Sequence, residues 1–593
     1  MQAGANDTWR GEFTVTSLGR WEYVVHASID AFASWQQTLR RRVEASQDED
    51  VAVELEVGAA LLLNLADGIP PREAEGLRSA AARLTGGTRP AAVAAALSAQ
   101  LRSEVERLGG ESGGCASAVF PVQVEPVRAR YGAWYEFFPR SAACGHHANL
   151  REAESRLDYA ASMGFNVVYL PPIHPIGRTN RKGPNNSLRP EPDDPGSPWA
   201  IGGAEGGHRA LHPLLGTMED FHHFLEHARG LGLEVAMDLA FQCSPDHPAV
   251  REHPEWFWRR PDGSVRFAEN PPKKYEDIFP FNFGCEAWHE LWDELRDTVL
   301  FWAAQGVSIF RVDNPHTKPV AFWEWLIAEV REQHPETVFL AEAFARPAML
   351  HMLAKVGFSQ SYTYFTWRNT ARELRDYLTE LCCSPAREYL RPNLWANTPD
   401  IISEYLQSGG RNGFAIRLIL AATLGANYGI YGPAFELCDD NPLRPGSEEY
   451  LDSEKYQLRC WDIEDARSLR PLITRVNRIR AEHVSLQADW SLTFHESDNP
   501  SLLSYSKSDP ETGDTVLMVV NLDPHYTQSG FITLAASVGT EPGSYQVHDL
   551  LTGARYLWSG TRNFVSLDPA TTPAHIFSLR RKVRSEHDFE YFA

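Results

Sequence analysis

Between about residues 120 and 480, short apolar segments alternate with longer amphipathic segments. The apolar segments have the length of buried strands, and the segments between them, such as 151–164 and 286–306, repeat apolar residues with helical spacing. Strands that alternate with helices are typical of an α/β fold with a parallel sheet. Eight β/α units within residues 119–484 predict a (β/α)8 TIM barrel with loop insertions. The predicted strands are 131–138, 165–173, 233–241, 307–313, 337–344, 358–365, 393–400 and 426–432.

Two connections between the predicted strands are too long for plain barrel loops. Residues 177–216 follow the second strand, and residues 242–284 follow the third. Long loops on the carboxyl-terminal face of a barrel usually carry function. We therefore expect both loops to contribute to a site, and we expect 242–284 to form a small inserted lobe.

Different patterns flank the barrel on its two sides. Residues 1–30 alternate like a hairpin that turns at Leu18–Gly19, which predicts a partial N-terminal β-sandwich. Residues 31–118 are rich in Ala, Leu and Arg with helical spacing, and they end in a glycine-rich linker at 109–117. From 485 to 593, short strands with polar turns predict a C-terminal β-sandwich. The predicted fold class is therefore a multidomain α/β protein.

The charge and the cysteine content argue against several classes of protein. A formal net charge of −22 argues against nucleic acid or an anionic membrane as a partner. No apolar run is long enough to span a bilayer, and the first residues lack the features of a signal peptide. The eight cysteines show no regular spacing, so reduced thiols in a cytoplasmic protein are expected rather than disulfides or a zinc site.

Acidic residues lie at the ends of four predicted strands. In GVSIFRVDNPHTKP, Arg311 and Asp313 are two positions apart on a strand, so they point to the same side and the arginine holds the carboxylate ionised. Asp238, Glu342 and Asp400 end three other predicted strands. Converging carboxylates repel one another, so a purely structural role has little rationale. Chemistry at a glycosidic carbon does need one carboxylate at the reacting centre and another, protonated, at the leaving oxygen.

The motifs around these residues resemble a known family. DLAFQ, FRVD, LAEAF and WANTPD are similar to the four signature regions of the α-amylase superfamily, glycoside hydrolase family 13. GFNVVYLPPIHPIGRTNRKGPNN, NPPKKYEDIFPFNF and YFTWRN resemble more closely the bacterial α-1,4-glucan:maltose-1-phosphate maltosyltransferases. Where amylases carry Asn-His and Asn-His-Asp, this sequence has Gln242-Cys243 and Asn397-Thr398-Pro399-Asp400, which counts against a plain hydrolase.

The resemblance implies roles for the strand-end residues. Asp313 matches the nucleophile that forms a β-maltosyl enzyme, and Arg311 keeps it ionised and aimed. Glu342 matches the general acid/base, and Asp400 matches the residue that stabilises the transition state. Asp238 is expected to be structural and bonded near Arg311. Retention implies that the carboxyl groups of Asp313 and Glu342 lie ~5–5.5 Å apart.

The resemblance also implies a site for a phosphorylated donor. Lysines and amides near a leaving phosphate offset its charge without reacting themselves. The positions that match the family's donor contacts are Lys182, Gln242, Lys273, Tyr275, Asp277 and Asn314. The candidates for the maltosyl end of the pocket are Lys455 and Tyr456, with Asn186 and Trp199 in addition.

The function that the resemblance implies is retaining transfer of maltosyl units from α-maltose 1-phosphate to the non-reducing ends of α-1,4-glucans. Phosphate is released, and the product belongs to the biosynthesis of a glycogen-like glucan. One alternative is another α-amylase-superfamily hydrolase or isomerase acting on maltose, trehalose or glucan ends, and a second is an inactive glucan-binding protein. Neither a cofactor nor a metal is expected.

The expected partners are the donor, a malto-oligosaccharide or glucan acceptor, and a second copy of the chain in a homodimer. The family begins with a complete β-sandwich that helps to build this dimer. Here the resemblance finds the last hairpin of that domain. We therefore expect either that the start of the protein lies upstream or that the domain is shortened.

Overall fold

The computed structural model describes residues 1–108, 112–270, 273–535, 538 and 544–583. The chain divides into two units. One consists of Met1–Val15 with Arg20–Val124, and the other of Thr16–Gly19 with Glu125–Ala593. Within the described ranges, no helix is both long enough and apolar enough to cross a bilayer.

The smaller unit is built mainly of helices, which confirms the helical segment predicted from the Ala-, Leu- and Arg-rich pattern. Each helix buries an apolar face, and Leu39, Leu62 and Leu77 are fully inside. The first helix is capped by Asp30, whose carboxylate accepts a hydrogen bond from the amide of Ala33 at 2.7 Å. The helices span Ala31–Glu44, Asp48–Asp67, Pro71–Gly86, Arg89–Ala96 and Ala99–Leu108.

The hairpin predicted within residues 1–30 is wrong. Gly19–Tyr23 pairs with Phe120–Val124, and His26–Ile29 pairs antiparallel with Ser112–Ala116. Each strand thus finds its partner beyond the helices rather than across a local turn. The alternating pattern identifies strands, but it does not identify the partner of an edge strand. A short local pair precedes them, between Gln2–Ala3 and Trp9–Arg10.

The glycine-rich linker predicted at 109–117 is also corrected. Residues 109–111 lie outside the described residues, and Ser112–Ala116 form one of the strands just named. Glycine weakens a strand because it has no side chain to pack, but it does not prevent pairing. Composition therefore could not separate an edge strand from a linker.

The larger unit contains a closed barrel of eight parallel strands, which confirms the predicted fold class. The strands follow one another around the barrel in sequence order, and the last pairs with the first, Asn427 opposite Gly132. All eight lie within the predicted ranges, extended at one position by Pro392. They are β1 (Gly132–Glu136), β2 (Val167–Leu170), β3 (Glu234–Leu239), β4 (Ile309–Val312), β5 (Val338–Ala341), β6 (Gln360–Tyr362), β7 (Pro392–Trp395) and β8 (Asn427–Tyr431).

Amphipathic helices alternate with the barrel strands. The helices after β1 and β2 begin with capping boxes, Asn149 with Glu152 and Thr217 with Asp220, in which side chains satisfy the free amides of the first turn. The barrel helices span Leu150–Ser162, Met218–Gly230, Trp288–Ala304, Val320–Gln333, Pro347–Lys355, Ala371–Cys383, Glu404–Leu424 and Arg470–Glu482.

Apolar side chains fill the barrel near the amino-terminal ends of its strands. Val167, Ile309 and Val338 begin three strands and are buried in one cluster with Trp134. A barrel interior packed in this way is a core rather than a pore. A ligand site is therefore confined to the carboxyl-terminal end, where the long loops leave the strands.

The loop at 242–284 contains two pairs of short strands. Gln242–Cys243 pairs with Phe279–Pro280, and Ala268–Asn270 pairs with Lys273–Tyr275. Both pairs are antiparallel, unlike the barrel. They position the side chains of this loop next to the ends of the barrel strands.

An antiparallel region follows the barrel, which confirms the sheet-rich C-terminal part of the predicted fold. One strand, Arg555–Ser559, was not predicted, because the segment TGARYLWSG has no clear alternation between its turns. The strands are Thr493–Ser497, Leu502–Ser508, Thr515–Asn521, Gln528–Thr533, Ser544–Asp549, Arg555–Ser559, Arg562–Leu567 and Ala574–Val583.

The expectation of reduced thiols is wrong at one pair of cysteines. A disulfide joins Cys144, in the loop after β1, to Cys460, in the loop after β8. The two residues are 316 positions apart, so their spacing gives no signal of the pairing. Closure of the barrel brings the two loops together. The cysteines with free thiols are Cys115, Cys243, Cys285, Cys382, Cys383 and Cys438.

Candidate active site

The end of β4 places one arginine among three carboxylates. Arg311 lies opposite Asp238 in the strand register, and its Nη1 donates to Asp238 Oδ2 at 2.8 Å and to Asp313 Oδ1 at 3.0 Å. Its Nη2 lies 2.7 Å from Glu342 Oε1. Asp313 and Glu342 directly follow β4 and β5, as predicted. The planar guanidinium therefore fixes these two carboxylates relative to each other.

Asp238 supports this arrangement from within the barrel. Its side chain is fully buried, and Oδ2 accepts hydrogen bonds from Tyr169 Oη and from Trp199 Nε1, the latter at 3.3 Å. Asp238 lies one residue before the end of β3 rather than at the strand end. It sits beside Arg311, as predicted, and it orients the arginine instead of facing a ligand.

The two carboxylates held by Arg311 differ in their electrostatics. Burial alone would raise the pKa of Asp313, but Arg311 and then Lys318 outweigh it, so this pKa lies below its usual value. The pKa of Glu342 is raised to about 8, mainly by burial. Arg311 lowers this pKa, but the neighbouring carboxylates, Asp313 first, raise it again. Near neutral pH, Asp313 is therefore ionised and Glu342 protonated. Acid/base chemistry at a glycosidic bond requires this division of states.

Lys318 is a functional candidate that the sequence reasoning missed. Its Nζ donates to the backbone oxygens of Asp313 and Asn314, at 3.1 and 3.2 Å. Asn314 has left-handed backbone angles (φ 43°, ψ 53°), which a non-glycine residue rarely adopts, and its amide donates to Glu342 Oε2 at 3.4 Å. Lys318 thus holds the turn beside the strand end. It lies in the segment GVSIFRVDNPHTKP, but nothing in the spacing indicates that it folds back onto Asp313.

Asp400 approaches the same region from a loop. β7 ends at Trp395, and Asp400 lies in a turn closed by two backbone hydrogen bonds between Thr398 and Ile401. The prediction that Asp400 ends a strand is therefore wrong in detail, because the chain leaves the sheet earlier. The Oδ1 atom of Asp400 accepts a hydrogen bond from Lys455 Nζ at 2.6 Å.

Most of the predicted site residues line one cavity of about 1180 Å³. Arg311 and Lys182 do not line it, and both side chains are nearly fully buried. Arg311 acts on the cavity through Asp313 and Glu342. The predicted residues that line the cavity are Asn186, Trp199, Gln242, Lys273, Tyr275, Asp277, Asp313, Asn314, Glu342, Asp400, Lys455 and Tyr456.

Two lysines of the long loops pair with carboxylates. Lys273 Nζ lies 2.6 Å from Glu449 Oε1, and Lys182 Nζ lies 2.6 Å from Glu276 Oε2. Lys182 also opposes the effect of burial on Asp277, whose pKa is nevertheless raised. Lys273 therefore brings positive charge to the cavity lining, whereas Lys182 lies outside the lining and acts on it through Asp277.

Another part of the cavity lining combines aromatic faces with polar atoms. Trp199 and Tyr456 are largely buried, and Lys455 Nζ lies 5.3 Å from the centre of the Trp199 ring. The Oδ1 atom of Asn186 is buried and has no hydrogen-bond partner in the described part of the chain. A flat aromatic face beside unpaired polar groups suits a sugar ring and its hydroxyls.

The loop after β8 contributes residues that no sequence pattern indicated. Glu448 and Glu449 line the cavity, and Glu448 Oε1 accepts a hydrogen bond from Trp367 Nε1 at 2.7 Å. The segment GSEEY is typical of a solvated polar loop. Its approach to the inserted lobe depends on the closure of the barrel, which sequence patterns do not report.

Two family models match parts of the chain. A model described as "GLGE, C-terminal" matches residues 494–579. A model described as "Alpha-1,4-glucan:maltose-1-phosphate maltosyltransferase, domain N/S" matches residues 1–126. The two matches lie on either side of the barrel.

Relatives that carry the name α-1,4-glucan:maltose-1-phosphate maltosyltransferase match nearly the whole chain. The protein of Methylacidiphilum infernorum is 49% identical over 98% of this chain and 87% of its own length. The protein of Myxococcus xanthus is 48% identical over 100% of this chain and 90% of its own length. Such identity over full length covers all the motifs on which the site was predicted.

Solved structures of α-amylases share the fold. The enzyme of Lactobacillus plantarum superposes with a TM-score of 0.58 at 20% identity, over 76% of this chain and 100% of its own. A maltogenic α-amylase of Thermotoga neapolitana has a TM-score of 0.60 at 20% identity, over 77% of this chain and 99% of its own. At this identity the likeness supports the barrel architecture and nothing finer.

Proposed function

Because the chain belongs to the α-1,4-glucan:maltose-1-phosphate maltosyltransferase family, we propose that it is a retaining maltosyltransferase. It transfers a maltosyl unit from α-maltose 1-phosphate to the non-reducing end of an α-1,4-glucan and releases phosphate. The observation that carries the proposal is the pair of carboxylates on Arg311, one ionised and one protonated, facing a cavity that also contains lysines.

In the first step, the Asp313 carboxylate attacks C1 of the maltosyl group. The bond from C1 to the phosphate oxygen breaks with its electron pair on oxygen, and Glu342 gives its proton to that oxygen. Arg311 keeps Asp313 ionised and aimed, and Asp400 stabilises the sugar ring as positive charge develops. The products of this step are a β-maltosyl enzyme and phosphate.

In the second step, the 4-hydroxyl of the acceptor attacks C1 of the maltosyl enzyme. Glu342, now ionised, removes the hydroxyl proton, and the bond between C1 and Asp313 breaks to restore the free carboxylate. Two inversions give net retention. Water competes with the acceptor at this step, so the cavity must hold the acceptor hydroxyl in line with C1.

The donor contacts follow from the charges around the cavity. We assign the phosphate to Lys273, Tyr275, Gln242 and Asn314, whose amine, hydroxyl and amides can donate hydrogen bonds to it. Lys182 does not line the cavity, so it adds positive charge near the donor without a direct contact. We assign the maltosyl group to Lys455, Tyr456, Asp277, Asn186 and Trp199. The unpaired oxygen of Asn186 supports this division, since a sugar hydroxyl can donate to it.

The alternatives are less well supported by the same observations. A hydrolase or isomerase that acts on maltose, trehalose or glucan ends has no need of lysines at the leaving group. A glucan-binding protein without activity has no need of Asp313, Glu342 and Asp400 together, since their mutual repulsion costs stability.

We also propose a cytoplasmic location, a homodimer and a role in the synthesis of a glycogen-like glucan. The location is supported by the donor, because a phosphorylated sugar does not cross a membrane unaided. The Cys144–Cys460 disulfide is unusual for a reducing compartment and does not add to this support. The role in synthesis is supported by the product, a longer α-1,4-glucan. Size-exclusion chromatography with light scattering measures the oligomeric state, and a monomer at working concentration would contradict the dimer.

The direct test is phosphate release from α-maltose 1-phosphate with and without maltohexaose. We expect release to depend on the acceptor and to be accompanied by longer glucans. Asp313→Ala should abolish it, and Asp262→Asn, a matched change of an exposed carboxylate in the inserted lobe, should not. Equal release without acceptor, with free maltose as product, would identify a hydrolase. No release by the wild type would overturn the proposed function.

A further inference from the structure

A lysine and a glutamate form an ion pair across the cavity. Lys273 lies on the short strand Lys273–Tyr275 of the inserted lobe, and Glu449 lies in the loop after β8. Both line the same cavity as Asp313 and Glu342, and the two ionic atoms are 2.6 Å apart. The pair therefore joins two segments that are distant in sequence directly at the candidate active site.

This pair differs from the two other lysine–carboxylate pairs of the site. The side chain of Lys273 is 58% exposed and that of Glu449 is 29% exposed. In contrast, Lys182 is 3% exposed in its pair with Glu276, and Lys455 is 14% exposed in its pair with Asp400. Exposed ion pairs contribute little to stability, because water replaces each partner at low cost. Of these three lysines, Lys273 can exchange its carboxylate most easily.

A phosphate dianion is a better acceptor for Lys273 than a single carboxylate. It carries more charge and offers several oxygens to the three ammonium hydrogens. Tyr275 follows Lys273 on the same strand at i+2, so both side chains project to one side of the hairpin. They can bind one anion together once the carboxylate has been displaced.

We propose that Glu449 is a competing counter-ion, which occupies Lys273 until the donor phosphate replaces it and which sets how tightly that phosphate is held. The inference rests on the proposed function, because it takes the donor phosphate as the ligand of Lys273. Glu449 lowers the affinity for any anion at this lysine by the free energy of the pair that must be broken. Once the maltosyl enzyme has formed, Glu449 returns to Lys273 and favours release of the phosphate before the acceptor reacts.

The backbone around Glu449 keeps its side chain within reach of Lys273. The backbone amide of Leu443 donates to the backbone carbonyl oxygen of Glu449 at 2.7 Å, and the backbone amide of Glu449 donates to Ser447 Oγ at 3.2 Å. The loop is thus fastened independently of the ion pair. Loss of the Glu449 charge should therefore leave the loop in place.

The experiment measures the binding of inorganic phosphate by calorimetry and its inhibition of maltosyl transfer, in wild type and in Glu449→Gln. We expect the variant to bind phosphate about two- to fivefold more tightly, the range that the loss of one exposed pair gives. The KM for α-maltose 1-phosphate should fall by a similar factor. Glu448→Gln is the matched control, since Glu448 lines the same cavity but pairs with Trp367.

A double-mutant cycle with Lys273→Met separates the effect of the Lys273–Glu449 ion pair from general repulsion between the Glu449 charge and phosphate. We expect Glu449→Gln to have no further effect on phosphate affinity once Lys273 is replaced. Equal tightening in Glu448→Gln and Glu449→Gln would mean that total charge, and not the pair, controls affinity. Weaker phosphate binding in Glu449→Gln would mean that Glu449 positions Lys273, and unchanged binding would mean that it plays no part. Each of these three results would overturn the inference.

The failure of the inference and the failure of the proposed function give different results. If wild type transfers maltosyl groups but Glu449→Gln binds phosphate as wild type does, the proposed role of Glu449 is wrong and the proposed function stands. If wild type releases no phosphate from the donor, the function fails. The calorimetric comparison of inorganic phosphate binding then still decides whether Glu449 competes for Lys273.

Discussion

Arg311 contacts all three buried carboxylates at the ends of β3, β4 and β5. A single guanidinium contacts Asp238, Asp313 and Glu342, while its planar face lies 5.6 Å from the centre of the Tyr169 ring. The sequence predicted that Arg311 and Asp313 share a side of the strand, because strand geometry alone dictates it. The contact with Glu342 was not predictable from spacing, because it depends on the register between β4 and β5.

The pH dependence of phosphate release follows from the two carboxylates. The proposed mechanism requires that Asp313 is ionised and Glu342 is protonated. Since the pKa of Asp313 is lowered, kcat/KM should reach its plateau at mildly acidic pH. Since burial raises the pKa of Glu342 to about 8, kcat/KM should fall as the pH rises through about 8. A pH profile at subsaturating donor measures both limbs, and a plateau that continues well above pH 9 would contradict the role of Glu342.

Lys318 should be a positioning residue for Asp313. In Lys318→Met, the pKa of Asp313 should rise towards its usual value and the turn at Asn314 should lose two hydrogen bonds. We expect kcat to fall by about tenfold or more and the acidic limb of the pH profile to move to higher pH. Lys355→Met, at an exposed helix position, is the control. A fall in activity with an unmoved acidic limb would show that the charge of Lys318 does not act on Asp313.

At the level of secondary structure, the strands themselves were predictable from local patterns, whereas some of their pairing partners were not. All eight barrel strands were predictable, because each is a short apolar run bounded by helical segments. The partners of Gly19–Tyr23 and His26–Ile29 were not, because they lie beyond five helices. Glu449 at the cavity and the Cys144–Cys460 disulfide were not predicted either, because in both cases the contacting residues are far apart in the sequence. Local sequence determines which residues form a strand, whereas the closure of the whole fold determines what that strand or loop meets.

The disulfide fastens a segment that carries two candidate sugar contacts. Cys460 follows Lys455 and Tyr456 closely in the sequence. The same segment accepts a hydrogen bond from Arg140 Nη2 at the backbone carbonyl oxygen of Glu454, at 2.6 Å. Cys144→Ser should therefore raise the KM for the donor more than it lowers kcat.

The same variant should lower the free energy of unfolding by about 2–5 kcal/mol, the usual cost of losing a native disulfide. Thermal denaturation with and without reductant measures this effect, and Cys115→Ser, which removes an exposed free thiol, is the control. Titration of eight free thiols in the untreated, denatured protein would contradict the disulfide.

At the scale of the whole molecule, an acidic protein binds an acidic donor. The net charge of −22 does not prevent this, because physiological salt screens charges beyond about 8 Å. The proposed contacts between the donor phosphate and the cavity lysines would then outweigh the charge of the distant surface. The net charge argues against polyanionic partners, but it carries no information about a site where a few lysines are concentrated.

The proposed mechanism requires that Asp313 forms a covalent maltosyl enzyme from a phosphorylated donor. The most direct measurement is the intact mass of Glu342→Ala after incubation with α-maltose 1-phosphate, followed by peptide mapping. Phosphate is a good leaving group even without a proton donor, whereas the second step lacks its base, so the intermediate should accumulate. We predict a mass increase of one maltosyl unit on the peptide that contains Asp313, absent in the double variant with Asp313→Ala. An unmodified protein that nevertheless releases phosphate, or a maltosyl group on another residue, would contradict the mechanism.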